Sequence, residues 1–116
     1  MSWDADLDIV GTHSAKVFTL NSWNYTHNTS NMIYLALERS GDPRKGRWWS
    51  ILDSMSGSVG ANYLSKILEF LAADRPTFVA LNPVNGWGDY DSLINVLIEM
   101  RDWSRDFPTA VWHCSG

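Results

Sequence analysis

Residues 3–9 read Trp-Asp-Ala-Asp-Leu-Asp-Ile, a strict alternation of apolar and acidic side chains. Because successive side chains of a strand point to opposite faces, this stretch predicts a β-strand with one buried and one solvated face. Gly11 ends the pattern, and good strand formers follow from Lys16 to Trp23. With a turn at residues 11–14, the two segments predict an N-terminal antiparallel hairpin. We expect the three aspartates to mark a solvated edge strand, on which charge discourages aggregation.

In the rest of the chain, apolar residues recur at helical spacing and predict three longer helices. The first is capped by Thr29 or Ser30, the second and clearest by Ser58, and the last by Asp89. A shorter helix is predicted over residues 48–55, because the apolar residues there end at a Ser-Gly pair.

The remaining segments are ambiguous. The stretch 78–81 has no clear period, and Val111-Trp112 can close the chain as a strand or as an apolar tail. The predicted fold class is therefore α+β: one mostly helical domain over residues 1–116, with an N-terminal β-hairpin and three to four helices.

The composition is that of an ordinary soluble globular protein, with 45% hydrophobic and 19% charged residues. A net charge of −4 argues against general nucleic-acid binding, which depends on neutralising phosphates. The acidic start lacks a signal-peptide pattern, no apolar run reaches membrane-spanning length, and the single cysteine excludes an internal disulfide. These features predict a soluble cytoplasmic protein. Seven tryptophans are many for this length, so one or two are expected on a binding surface.

Two runs of amides and aromatics stand out as candidate binding segments, because a buried carboxamide is costly unless each donor and acceptor is paired. One run precedes the first predicted helix and the other precedes the last. The candidate residues for a ligand or partner are Trp23, Asn24, Tyr25, Thr26, His27 and Asn28 in the first run, and Asn85, Trp87, Asp89 and Tyr90 in the second. The amides can equally well cap the next helix and tie down the hairpin.

A basic stretch before the tryptophan pair at positions 48 and 49 is the best candidate for holding an anionic group. Arg44, Lys45 and Arg47 provide the charge there. The alternative is a solvated loop whose tryptophans turn inward.

No catalytic or metal motif is found. The aspartates of the first strand lack the glycine and glutamate of a calcium loop, and His13, His27 and His113 have no ligand spacing. Cys114 lies too close to the end of the chain to be a preorganised nucleophile, and there is no phosphate loop. We therefore expect no cofactor, no metal and no enzymatic activity. The one enzymatic alternative pairs His27 with Asp89 or Asp91 as acid and base.

Four short motifs in order along the chain resemble those of a group of small uncharacterised proteins from bacteria and their phages. They are N-x-T-x-N at Asn24, Thr26 and Asn28; L-x-x-M-S-G at Leu52, Met55, Ser56 and Gly57; P-x-x-G at Pro83 and Gly86; and the closing Trp112. His27 and Trp87 depart from the tyrosine and asparagine that the resemblance leads one to expect. The resemblance implies a shared fold and a phage or mobile-element setting, and it implies no activity.

Together these features favour a non-enzymatic binding protein that acts on a protein of the bacterial host. An inhibitor of a defence system, such as an anti-CRISPR protein, is the example that the resemblance and setting suggest. The alternative is a protein that binds or sequesters a nucleotide signal, with an aromatic ring stacked on the base and the basic stretch on the phosphate. An open pocket between the two polar runs would favour a ligand there.

Overall fold

The central element of the fold is the predicted first strand. The computed structural model describes residues 1–11 and 16–116. In it β1 (Ser2–Val10) pairs antiparallel with β2 (Val17–Thr26) and with β3 (Val111–Ser115), so the strand order is β2-β1-β3. The predicted hairpin is thus present, while most of the turn predicted at residues 11–14, including His13, lies outside the described residues.

The alternation of β1 is confirmed on its apolar face, where Trp3, Ala5 and Leu7 are completely buried. Ile9 is 36% exposed, because it lies beyond Asp8, the last residue of β1 that pairs with β3, and its neighbours Val10 and Phe18 are exposed as well. A bulge shifts the register of β1 and β2 between Leu7 and Asp8. The expectation of an edge strand was wrong. The end of the chain returns as β3 and covers the second edge of β1, which no local pattern around residues 3–9 reveals.

Five α-helices complete the described part of the chain: α1 (Ser30–Arg39), α2 (Trp48–Leu52), α3 (Gly57–Ala73), α4 (Arg75–Val79) and α5 (Tyr90–Asp106). A short 3-10 helix (His27–Thr29) joins β2 to α1. The α+β class is confirmed. The additional helix is α4, which covers part of the stretch that the sequence left ambiguous. None of the described helices is long and apolar enough to cross a membrane.

The helix caps show how far local chemistry predicts a boundary. The Asp89 cap is confirmed, since the Ser92 backbone N–H donates to Asp89 Oδ1 at 2.7 Å. The cap predicted at Ser58 was wrong by two residues, because Ser56 Oγ accepts the Val59 N–H at 3.3 Å and α3 begins at Gly57. Either serine has a hydroxyl that can cap the helix. Ser56 takes the cap position because a β-bridge holds its backbone against Val111.

The core lies between the sheet and the helices and is rich in tryptophan. Trp3, Trp48 and Trp112 are fully buried, and the rings of Trp3 and Trp48 meet edge to face with centroids 4.7 Å apart. Such aromatic contacts add stability beyond the area that they bury. Trp87 is the exception to this pattern, with 70% of its surface exposed.

Close packing in the core joins α3, α5 and β3. Ser104 Oγ on α5 donates to the Gly57 carbonyl and accepts a hydrogen bond from Trp112 Nε1 at 3.0 Å. Trp112 on β3 thereby lies directly against α3. A Cβ atom at Gly60 would be only 2.6 Å from Trp112 Nε1, so this close approach requires a glycine.

We expect Gly60→Ala to destabilise the protein, although alanine is the better helix former by about 1 kcal/mol. The new methyl group would collide with a fully buried indole, and overpacking of this kind costs about 1–3 kcal/mol. Because the indole is a rigid ring, we expect the upper part of that range, about 2–3 kcal/mol, and urea unfolding should therefore show a net loss of about 1–2 kcal/mol. The exposed neighbour Val59 provides the control, since Val59→Ala should change the unfolding free energy by less than about 0.5 kcal/mol. A Gly60→Ala variant as stable as the parent would contradict the packing described.

Candidate functional site

The two polar runs meet in space. The Tyr25 hydroxyl accepts the backbone N–H of Asp89 at 3.3 Å, and Asn28 Nδ2 donates to the Trp87 carbonyl at 3.5 Å. At the same contact Gly88 has a φ of +88°, and a Cβ atom there would lie 2.6 Å from the Thr26 methyl group. The backbone of the second run therefore packs directly on the end of β2.

The contact surrounds an open groove with a volume of about 720 Å³, which we call the amide groove. Its described lining residues come from the start of β1, the end of β2, the 3-10 helix and the loop before α5. They are Met1, Ser2, Asn24, Tyr25, Thr26, Asn28, Asn85, Trp87 and Gly88. Six of these were predicted from the two runs, and Met1, Ser2 and Gly88 were not. Ser2 enters the groove because the strand register pairs it with Thr26, and a sequence does not reveal register.

Part of the first run holds the scaffold together. Asn24 Nδ2 donates to Asp4 Oδ1 at 2.8 Å and to Ser2 Oγ at 3.0 Å, which ties β2 to β1 beside the groove. Thr26 Oγ1 accepts the Asn28 backbone N–H at 3.1 Å and caps the 3-10 helix. These side chains therefore fix the shape of the groove as well as lining it.

The second run holds Trp87 in an exposed position. Asn85 Oδ1 accepts the Trp87 N–H at 3.0 Å, and Asn82 Oδ1 accepts the Tyr90 N–H at 2.8 Å. Side chains of this type stabilise tight turns by bonding to the backbone a few residues on. The loop also uses the positive φ angles of Gly86 (+74°) and Gly88 (+88°), which favour glycine. Trp87 thus lies at the rim of the groove, on a loop that these hydrogen bonds hold in place.

The remaining predicted residues lie around the groove, outside its lining. Trp23 is buried and its Nε1 donates to Glu99 Oε1 at 3.2 Å, while Asp89 caps α5. Tyr90 is also buried, and its hydroxyl donates to the Leu71 carbonyl at 2.7 Å. His27 packs against Trp49 with ring centroids 4.6 Å apart. Alternation along β2 explains the burial of Trp23, since its cross-strand partner Ala5 belongs to the buried face of β1.

The acid–base pair considered for His27 does not form among the described residues. Asp91 forms an ion pair with Arg75 at 2.6 Å, and Asp89 is occupied by the helix cap. The contact of the His27 ring is aromatic, and no hydrogen bond or ion pair to either carboxylate is found in the described part of the chain.

The basic stretch forms a separate surface that shares no described lining residue with the groove. Arg44 donates two hydrogen bonds to the Asp42 carboxylate, from Nη2 to Oδ2 at 2.6 Å and from Nε to Oδ1 at 3.0 Å. Its guanidinium group lies over the ring of Tyr63. Arg47 lies over the ring of Trp49. The hydrogen bonds from Arg44 lower the pKa of Asp42 from 3.8 to about 2. Much of the positive charge of Arg44 is therefore already paired, while Lys45 is exposed.

A polar cluster of Asp8, Thr19 and His113 links the three strands of the sheet. Asp8 is buried beside the bulge, where Oδ1 accepts the Thr19 hydroxyl at 2.7 Å and Oδ2 lies 2.6 Å from His113 Nδ1.

Burial raises the pKa of the Cys114 thiol to about 12, so the nucleophilic thiolate is scarce at neutral pH. Among the described residues, no group of three or more His, Cys, Asp or Glu side chains is arranged to hold a metal ion.

The chain matches no protein-family model, and no curated protein or solved structure is significantly similar to it. The groove must therefore be interpreted from its own chemistry.

We expect the ion pair of Asp42 to make stability depend on pH in the acidic range. Because the folded-state pKa is about 2 and the ordinary value is 3.8, the stabilisation is complete above about pH 4 and is lost as the pH falls towards 2. Asp42→Asn retains an oxygen for the Arg44 N–H and removes the charge. Urea unfolding at several pH values should show a gap between parent and variant that closes between pH 4 and 2. A gap of constant size over this range would contradict the assignment.

Proposed function

We propose that this chain is a non-enzymatic binding protein that recognises a partner protein at the amide groove. The observation that supports this proposal most directly is the exposure of Trp87 on a hydrogen-bonded loop. Tryptophan is enriched among the few interface residues that dominate protein–protein affinity, and those residues lie beside polar groups that exclude water. A large aromatic side chain held in place at the rim of a polar groove fits that role.

The chemistry of the groove supports binding rather than catalysis. The side chains of its described lining are amides, hydroxyls, aromatic rings and the Met1 thioether, none of which is a common general acid or base at neutral pH. The nearest histidine in sequence, His27, is packed against Trp49. A ligand in the groove would meet hydrogen-bonding groups and a ring face.

The same lining favours a protein partner over a nucleotide signal. The indole of Trp87 and the amides would suit a base, but the phosphate of a nucleotide needs a cationic or helix-terminal partner. Arg44 lies in the separate basic surface and is paired with Asp42. The resemblance to bacterial and phage proteins makes a bacterial host protein, such as a component of a defence system, the first partner class to test.

The test is capture of a stoichiometric partner from a bacterial lysate by the immobilised full chain. We expect the parent to retain such a partner and Trp87→Ala to lose most of it, because truncating an interface tryptophan commonly weakens binding by about tenfold or more. Binding of the purified pair should then be measured by calorimetry.

Val84→Ala is the matched control. Val84 lies in the same loop, is fully exposed and does not line the groove, so this variant should bind as the parent does. The proposal fails if no stoichiometric partner is captured, or if a captured partner binds Trp87→Ala as tightly as it binds the parent.

A further inference from the structure

The side chains that line the amide groove are uncharged, while Met1, which also lines it, carries a main-chain ammonium group. Among its described lining residues none carries a charged side chain, and the carboxylate that bonds to Asn24, Asp4, is engaged by the Asn24 amide. Uncharged side chains select against phosphate and carboxylate groups, because burying an unpaired charge against amides and rings is costly. These side chains therefore favour an uncharged segment over a phosphate or a carboxylate group.

One side of the groove presents hydrogen-bond donors. Asn85 directs Oδ1 to the Trp87 N–H, which leaves its Nδ2 to donate outward. The oxygen of the Tyr25 hydroxyl accepts the Asp89 N–H, which leaves the hydroxyl hydrogen to donate. The Trp87 indole Nε1 is a third donor, and it has no hydrogen-bond partner among the described residues. A ligand that lies along this side must supply acceptors.

The third property of the groove is its aromatic face. The exposed ring of Trp87 and the half-buried ring of Tyr25 both belong to the lining. Proline-rich segments in the polyproline II conformation match all three properties, because they are uncharged, present backbone carbonyl acceptors without the proline N–H, and carry flat rings that pack on aromatic side chains. Their preformed backbone also loses little conformational entropy on binding.

We propose that the amide groove binds a proline-rich segment of the partner in the polyproline II conformation. The rings of the segment pack on Trp87, and its carbonyls accept hydrogen bonds from Trp87 Nε1, Asn85 Nδ2 and the Tyr25 hydroxyl. This inference rests on the proposed function and names the kind of peptide that the same site recognises. A segment in the β conformation fits less well, because it would present N–H donors to a side that already supplies donors.

The probe is an octaproline peptide, acetylated and amidated so that it has no charge. It is titrated into the full-length ¹⁵N-labelled protein while the indole N–H signal of Trp87 and the side-chain amide signals of Asn85 are followed by NMR. We expect saturable shifts that are confined to the groove. Trp87→Ala should weaken binding by about tenfold or more. Trp87→Phe, which keeps a ring and loses the donor, should weaken it less, and Val84→Ala should not change it.

Three outcomes would overturn the inference. They are no shift up to roughly 5 mM peptide, equal shifts with a Gly-Ser peptide of the same length, or a stronger response to the neutral sugar maltotriose. Because the titration needs no cellular partner, its failure leaves the capture experiment and the proposed function intact. Conversely, a partner that depends on Trp87 but has no proline-rich segment would reject the peptide class alone.

Discussion

The rest of the structure depends on the pairing of β1 on both of its edges. Its apolar face, formed by Trp3, Ala5 and Leu7, can be completely buried only because the helices cover that face and β2 and β3 satisfy the backbone on either side. The same pairing sets Ser2 opposite Thr26 and Asp4 opposite Asn24. The amide groove is built on this register, since a slip of one residue would turn those side chains to the other face.

The groove combines a rigid floor with an exposed aromatic side chain. One side of the groove is the end of the sheet, where Asn24 links β2 to β1 by hydrogen bonds. Its rim is the loop before α5, whose turns are fixed by hydrogen bonds from the backbone to Asn82 and Asn85. Holding the loop in this way reduces the entropy that a partner must remove on binding. The groove and the paired basic surface of Arg44 are different environments, and only the first presents a tryptophan to solvent.

Several features of this chain follow from local patterns. The alternation of residues 3–9 identified a strand with the correct buried face, and Asp89 was recognised as a cap because a carboxylate before a helical period satisfies an exposed N–H. Other expectations failed where two local solutions were equivalent. Ser56 and Ser58 offer the same capping hydroxyl, and an acidic alternating strand suits an edge unless a distant segment covers it.

The sequence by itself determined the α+β class, the buried face of β1 and the two polar runs, because these depend on residue types and spacing along the chain. Only the tertiary structure decided that the runs meet, that Asn24 serves the scaffold while Trp87 remains exposed, and that His27 packs on Trp49. These outcomes depend on strand register and on the return of the chain end as β3. Both are set by contacts between residues far apart in the chain, such as Asp8 and His113, which are 105 positions apart. Local periodicity does not encode such contacts.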